Sequence, residues 1–409
     1  MKIHKRCYGI LILFLLSTLF CSCTNAQNST QDGNQSSESP QNNGAVPGTD
    51  DLDSDDSNTT KPLPDVTPIE DESVPIGTRT NPLPLHTTAL FNGNNTLFDT
   101  YQAEITLLEV IRGNEAYQMA MGANSYNSEP AEGKEYLFAK FRIRALSSQE
   151  DAVIDINSAS FTVVSENGKT YDAFTSVSGL KPTLQEMYAG GTQEGYAYFE
   201  VDEDDQYPNL VFLERNNNGI WFSTDPNAAL AEGSTVYVPA ESIPKQDTTN
   251  ATLGSRLNPF SIGEQATFNG LETVFDTYQA NLTLTEINRG EEALALVTKA
   301  NSYNDLPSEG MEYLLALFEV TATDSVDDAK IEINSANFEL VSSAGIKYDD
   351  FVSIAGLEPT LTDMYTGNTQ QGYVCFLVSK DDTNPTIVFL ERNEQGIWFS
   401  CKGSGVNSP

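Results

Sequence analysis

Side chains able to do chemistry are sparse in this chain. Of two histidines, His4 and His86, and five cysteines, only His86, Cys375 and Cys401 lie beyond residue 23. Hydroxyl or thiol nucleophiles need a base within hydrogen-bond reach, most often histidine. A 177-residue shift, which superposes two halves of the chain, places Gly263 opposite His86. A histidine-based site would therefore exist in one half only, and His86 is expected at the surface. Zinc requires several nitrogen or sulfur ligands at close spacing, which Cys375 and Cys401 cannot supply. No GxxxxGK[ST] or GxGxxG stretch indicates a phosphate cradle. Neighbouring acids at Asp202–Asp205, Asp327-Asp328 and Asp381-Asp382 read as solvated turns, whereas glycoside cleavage needs one carboxyl raised by burial. Weak calcium binding at such turns stays open. The run Asp51–Asp56 resembles the start of a calcium loop, but Asp56 stands where glycine belongs and Pro62 where the bidentate glutamate belongs. No metal, cofactor or catalytic residue is assigned.

The polar cluster of most interest is Asn124, Ser125, Tyr126 and Asn127, repeated as Asn301, Ser302, Tyr303 and Asn304. A tyrosine displayed between amides can stack on a sugar or peptide and donate a hydrogen bond. In the alternative reading the asparagines cap backbone groups and the tyrosine closes the fold. Asn124, Tyr126, Asn127, Asn301, Tyr303 and Asn304 are the candidate ligand-binding residues. Trp221 and Trp398 are expected in the core, and Arg215 and Arg392 beside acids.

Such residues need a scaffold, and the chain writes it twice. Residues 77–223 lie on 254–400 without a gap, about 80 of the 147 positions being identical. FDTYQA, ANSYN, INSA, VFLERN and GIWFS recur in register. A unit this long is a domain rather than a solenoid repeat. In the first copy, Ala103–Ile111, Glu135–Ala145, Ser160–Ser165, Gly195–Val201 and Leu210–Glu214 read as strands. Leu137, Ala139, Phe141 and Ile143 alternate with Tyr136, Phe138, Lys140 and Arg142, the period of a half-buried strand. Asn167-Gly168 marks a hairpin, because both residues tolerate positive φ. Glu115–Ala123 is the one helix-like stretch, with Ala116, Met119 and Ala120 at helical spacing. The fold class is all-β: two tandem β-sandwiches, each with one short helix, which the resemblance stated below makes immunoglobulin-like.

The N-terminus carries an address. Lys2, Lys5 and Arg6 precede the apolar run Tyr8–Phe20, too short to span a bilayer and of secretory length. Leu19-Phe20-Cys21-Ser22-Cys23 resembles the lipobox of bacterial lipoproteins, which implies lipidation at Cys23 and an extracytoplasmic, membrane-anchored protein. Phe20 departs from the aliphatic residue usual in that motif. Residues beyond Cys23 are rich in Ser, Asn, Asp, Gly and Pro, and should form a disordered tether about 40 Å in r.m.s. span. The expected division is a signal peptide at 1–22, an acidic stalk at 23–76, domains at 77–224 and 254–402, a linker at 225–253 and a tail at 403–409. Ser234–Pro239 offers an added edge strand. An oxidising exterior permits a Cys375–Cys401 disulfide, and two free thiols is the equal alternative. With 58 acidic against 22 basic residues, a formal charge of −36, the chain repels nucleic acid and anionic lipid headgroups.

The stretches RGNEAYQMAMGANSYNSEPAEGKEYLFAKFRIR, RGEEALALVTKANSYNDLPSEGMEYLLALFEV, GKTYDAF and TQEGYAYFEV resemble the extracellular immunoglobulin-like domain of bacterial lipoproteins, a family of unknown function. Its fold is similar to that of a secreted immunoprotective antigen. The resemblance implies a β-sandwich at the cell surface doing adhesive or ligand-sensing work, and it brings no catalytic residues. The resulting expectation is a non-catalytic binding or adhesion module. Its partners are the membrane through the lipid anchor, and a cell-wall glycan, peptide or envelope protein. A structural spacer is the alternative, and a carboxylate-based hydrolase a weaker one.

Overall fold

The computed structural model describes residues 75–93, 100–173, 175–213, 219–239, 241–242, 248–272, 276–349, 352–390 and 396–402. The signal peptide, Cys23, nearly all of the stalk, the tail, Arg215 and Arg392 lie outside these residues.

Fifteen strands and two α-helices are described, and every strand pairing is antiparallel. The first sandwich comprises β1 (Thr88–Asn92), β2 (Tyr101–Arg112), α1 (Gly113–Ala123), β3 (Lys134–Ser148), β4 (Phe161–Val164), β5 (Thr170–Tyr171), β6 (Thr192–Asp202), β7 (Asn209–Phe212) and β8 (Ile220–Ser223). Its sheets run β1-β2-β3-β6 and β5-β4-β7-β8. The second comprises β9 (Gln265–Asn269), β10 (Tyr278–Arg289), α2 (Gly290–Ala300), β11 (Met311–Ser325), β12 (Phe338–Val341), β13 (Thr369–Ser379), β14 (Thr386–Phe389) and β15 (Ile397–Ser400). Its sheets run β9-β10-β11-β13 and β12-β14-β15. The expected all-β fold with one short helix per sandwich is observed. No helix among the described residues is long and apolar enough to cross a membrane.

The two faces of β3 follow from its alternation. Leu137, Ala139, Phe141 and Ile143 enter the core between the sheets, where Phe141 stacks on Phe161 with ring centroids 4.1 Å apart. Tyr136 and Phe138 face outward beneath α1, against buried Ala116 and Ala120. The same outer face continues as charge: Lys140 and Arg142 both pair with Glu194 of β6. One short helix thus covers only the apolar half of the outer face. The β4–β5 hairpin differs in detail from expectation. Its loop spans three residues, Glu166–Gly168, and only Gly168 takes positive φ, at 81°.

Two cores form, one per sandwich, yet the described residues of 75–402 cluster as one compact unit. Segment 225–239, expected as linker, packs on the first sandwich instead. Leu230 meets its core, Asn81 Nδ2 donates to Ser234 Oγ at 3.0 Å, and the Tyr237 hydroxyl donates to Glu104 at 2.9 Å. Ser234–Pro239 forms no strand ladder; it is held by side-chain bonds. The sandwiches also touch directly. Tyr188 N donates to Gly345 O at 2.7 Å, Lys347 N donates to Glu186 O at 3.0 Å, and Ile346 packs against the first core.

Candidate functional site

The NSYN loops follow the C-termini of α1 and α2, and the structure divides their residues by role. Asn124 N donates to Ala120 O, ending the helix, while Asn124 Oδ1 accepts from Tyr126 N at 3.0 Å. Asn127 Nδ2 donates to Ala120 O at 2.7 Å and to Ser178 O at 2.9 Å, and its Oδ1 accepts from Ser178 N at 2.8 Å. The copy repeats the pattern. Asn301 Oδ1 accepts from Tyr303 N at 3.0 Å, and Asn304 bonds both Val297 O and Ala355. All four asparagines therefore serve the backbone, as in Asx turns. Gly179 lets the neighbouring loop approach, since a Cβ there would lie 2.7 Å from Ala123 O.

The tyrosines do the opposite. Tyr126 is 93% exposed and Tyr303 92%, so neither closes a sandwich. Closure falls to Tyr136 and Tyr313, which donate to Ser128 O and Asp305 O from beneath the loops. Each copy thus presents one aromatic ring on a loop clamped by asparagine hydrogen bonds.

Other sequence-named groups prove structural. His86 is exposed with φ of 63°, where the second copy has Gly263 at 86°, so the position is a left-handed turn. Trp221 and Trp398 are buried as expected. Asp327 and Asp328 are exposed as expected, as are Glu203, Asp204 and Asp381, but single acids of the other two clusters depart from expectation. Asp205 accepts from the Tyr171 hydroxyl at 2.7 Å, and buried Asp382 accepts from Tyr348 at 2.8 Å and from the amides of Ser343 and Asn384. Burial and the Asp382 bond push the Tyr348 phenol well above its usual value. Asp202 sits between Lys134 and Lys169 and is held below the usual carboxylate range, chiefly by Lys134. Among the described residues no group of three or more His, Cys, Asp or Glu is arranged to hold a metal ion.

Of the two readings of the thiols, the structure shows the unbridged one. Cys375 and Cys401 are free thiols in different clusters. Cys375 faces outward from β13 beneath α2, whereas Cys401 lies in the core between the sheets. Burial pushes the Cys375 thiol up to about 12 and raises Cys401 further.

The sandwich junction went unseen in the sequence. Arg256 donates through Nε and Nη2 to the two carboxylate oxygens of Asp151 at 2.7 and 2.5 Å, and its guanidinium lies 4.8 Å from the Tyr188 ring centroid. Tyr188 meets Trp398 edge-on at 5.3 Å, and Lys347 bridges Glu186 and Glu339 at 2.7 and 2.8 Å. The only available signal was the retained pair Arg79/Arg256, which does not say which copy is engaged.

No family model matches the chain, and no curated protein does. Among solved structures, ycdA of Bacillus subtilis, a lipoprotein candidate, is 14% identical with a TM-score of 0.24 over 32% of this chain. The match takes in 38% of ycdA, well under two thirds of its length. The secreted protein MPT63 of Mycobacterium tuberculosis is 11% identical, TM-score 0.24, over 35% of this chain and 95% of its own. An uncharacterized β-sandwich protein of Clostridium difficile 630 is 13% identical, TM-score 0.21, over 36% and 95%. The fold assignment rests on the strand ladders themselves.

Proposed function

We propose that the chain is a lipid-anchored, extracytoplasmic binding module that acts without catalysis, tethered through Cys23 and an acidic stalk. The observation that carries this reading is the pair of tyrosines, 93% and 92% exposed, on two loops of matching hydrogen-bond pattern. An exposed large aromatic side chain is informative where a buried one is not, and tyrosine combines a stacking face with a hydroxyl. The ligand is a neutral or basic surface component: a cell-wall glycan, a peptide or an envelope protein. A formal charge of −36 disfavours phosphate-rich partners. Two weak sites on one tether gain effective concentration, which gives the duplication a use.

Glycan and peptide arrays probed with the full chain test this reading. Binding should be lost in the double variant Tyr126→Ala plus Tyr303→Ala and reduced in either single variant. Binding that survives the double variant removes the loops from the function. A spacer is the second reading, favoured by the ion-paired junction between the sandwiches. It predicts no ligand on any array and no thermal stabilisation by any array component.

A further inference from the structure

One groove is walled by the chain's own segment on the first sandwich, and its counterpart on the second has no such segment. In the first, Ile76, Leu83, Leu90 and Ile220 line a groove of about 360 Å³ whose remaining wall is the chain's own Thr235, Val236 and Tyr237. Asn81 anchors that segment by donating to Ser234 Oγ and accepting from Ala231 N at 3.2 Å. Tyr237 reaches over the large sheet to Glu104, and Glu104 and Thr106 beneath it are buried, at 1% and 7% exposure.

A shift of 177 carries the four lining residues to Leu253, Phe260, Thr267 and Ile397. All four lie on a cleft of about 670 Å³ at the junction, whose facing wall is Glu150–Val153, Glu186 and Tyr188 of the first sandwich. No described segment crosses it as residues 234–237 cross the first groove. Leu253 is 53% exposed, and Asn281 and Thr283, opposite Glu104 and Thr106, are only half-buried. Ser255 Oγ, on the cleft wall, is buried without a hydrogen-bond partner. Glu150 and Glu339 stand exposed at the rim, and the carboxylates of the cleft outnumber its two cations, Arg256 and Lys347.

We propose that this cleft docks an extended peptide segment of another protein, neutral or basic, with hydroxyl, β-branched and aromatic side chains. The segment lies on the second sandwich as Ser234–Tyr237 lies on the first. The first groove is the template: the same scaffold positions already hold such a segment through one asparagine, one tyrosine hydroxyl and apolar contact. Extended peptides are commonly bound this way, along a sheet margin with pockets for alternate side chains. The excess of carboxylates excludes acidic segments. The site is independent of the tyrosine loops.

The probe is the capped peptide Gly-Ser-Thr-Val-Tyr-Val-Pro, residues 233–239, carrying a fluorophore and titrated into the purified full chain while anisotropy is followed. Saturable binding is expected, weakened on the order of tenfold by Leu253→Asp or Thr267→Asp. Both positions are exposed, so unchanged thermal melts will show that the fold is intact. Tyr126→Ala plus Tyr303→Ala should leave the affinity unchanged, which separates this site from the loops. A photoreactive group at the central valine should label residues 253–267. Absence of saturation, affinity retained in both acidic variants, or labelling at the first groove (residues 76–90 or Ile220) rather than at residues 253–267 or the facing Glu150–Val153 overturns the proposal. So does affinity that rises when residues 403–409 are removed, because the tail would then be the occupant.

Discussion

Tyr188 and Tyr365 hold equivalent positions and have opposite fates: the first is 1% exposed, the second 53%. Their local structure is the same. Met187 and Met364 each pair with an upstream isoleucine, Ile154 or Ile331, and each accepts at sulfur from a glutamine, Gln193 or Gln370. What differs is the company. Beside Tyr188 stands Val153, which joins Trp398, Val341 and Val388 in a shared apolar cluster. Beside Tyr365 the matching residue is Lys330, paired with Glu332 and Asp363. The opposing surfaces diverge in the same sense, because Ile346 packs across the junction while its counterpart Lys169 pairs with Asp202. A handful of exchanges on a duplicated scaffold therefore makes one corner an interface and the other a charged end.

Replacing the two tyrosines gives the sharpest contrast. Tyr188→Ala should cost about 3 kcal/mol in urea unfolding, the range of buried aromatic truncations, whereas Tyr365→Ala should stay within about 0.5 kcal/mol. Equal losses would break the comparison. The arginines come next. Arg256→Ala removes a partly buried bidentate pair and should cost about 2 kcal/mol. Arg79→Ala, at the exposed counterpart, should be neutral in the same assay.

Acid should distinguish the copies more gently. Glu194 is held below the usual carboxylate range, first by its hydrogen bond from Lys140 and then by Arg142. Where the first sandwich has Glu194 and Asp202, the second has neutral Gln371 and Ser379. A depressed folded value stabilises above the unfolded carboxylate value of about 4, and that contribution fades as pH falls through the depressed one. Glu194→Gln should therefore flatten the acid limb of the urea midpoint against pH. An unchanged limb would remove Glu194 as a cause. The smallest effect concerns the thiols. Reductant should leave the melt unchanged, and iodoacetamide should modify Cys375 and Cys401, read by mass spectrometry, only after unfolding. Rapid native labelling would contradict their placement.

Much of the fold was legible because it is local. Alternation along β3, the left-handed glycine after Asn167 and the helical spacing of Ala116 and Ala120 depend on residues a few positions apart, and each element formed where those spacings lie. The NSYN loops were legible as a place but not as a mechanism. The string of amides and tyrosine fits either display or closure, and Ser178 and Ala355, which settle the asparagines' role, lie 51 residues away. The thiols stayed open between two readings because alternation indicates that neighbours on a strand point apart, but not which sheet face a distant cysteine shares.

The sequence by itself determined that there are two strand-built copies and what each copy's strands bury, since repetition and period are properties of neighbours in the chain. Only the tertiary structure decided which tyrosine docks, which arginine finds an acid, which groove the chain's own segment walls and why the two cysteines never meet. Those outcomes depend on surfaces brought together from positions tens to hundreds of residues apart, where one valine or lysine decides whether a face sheds water or keeps it.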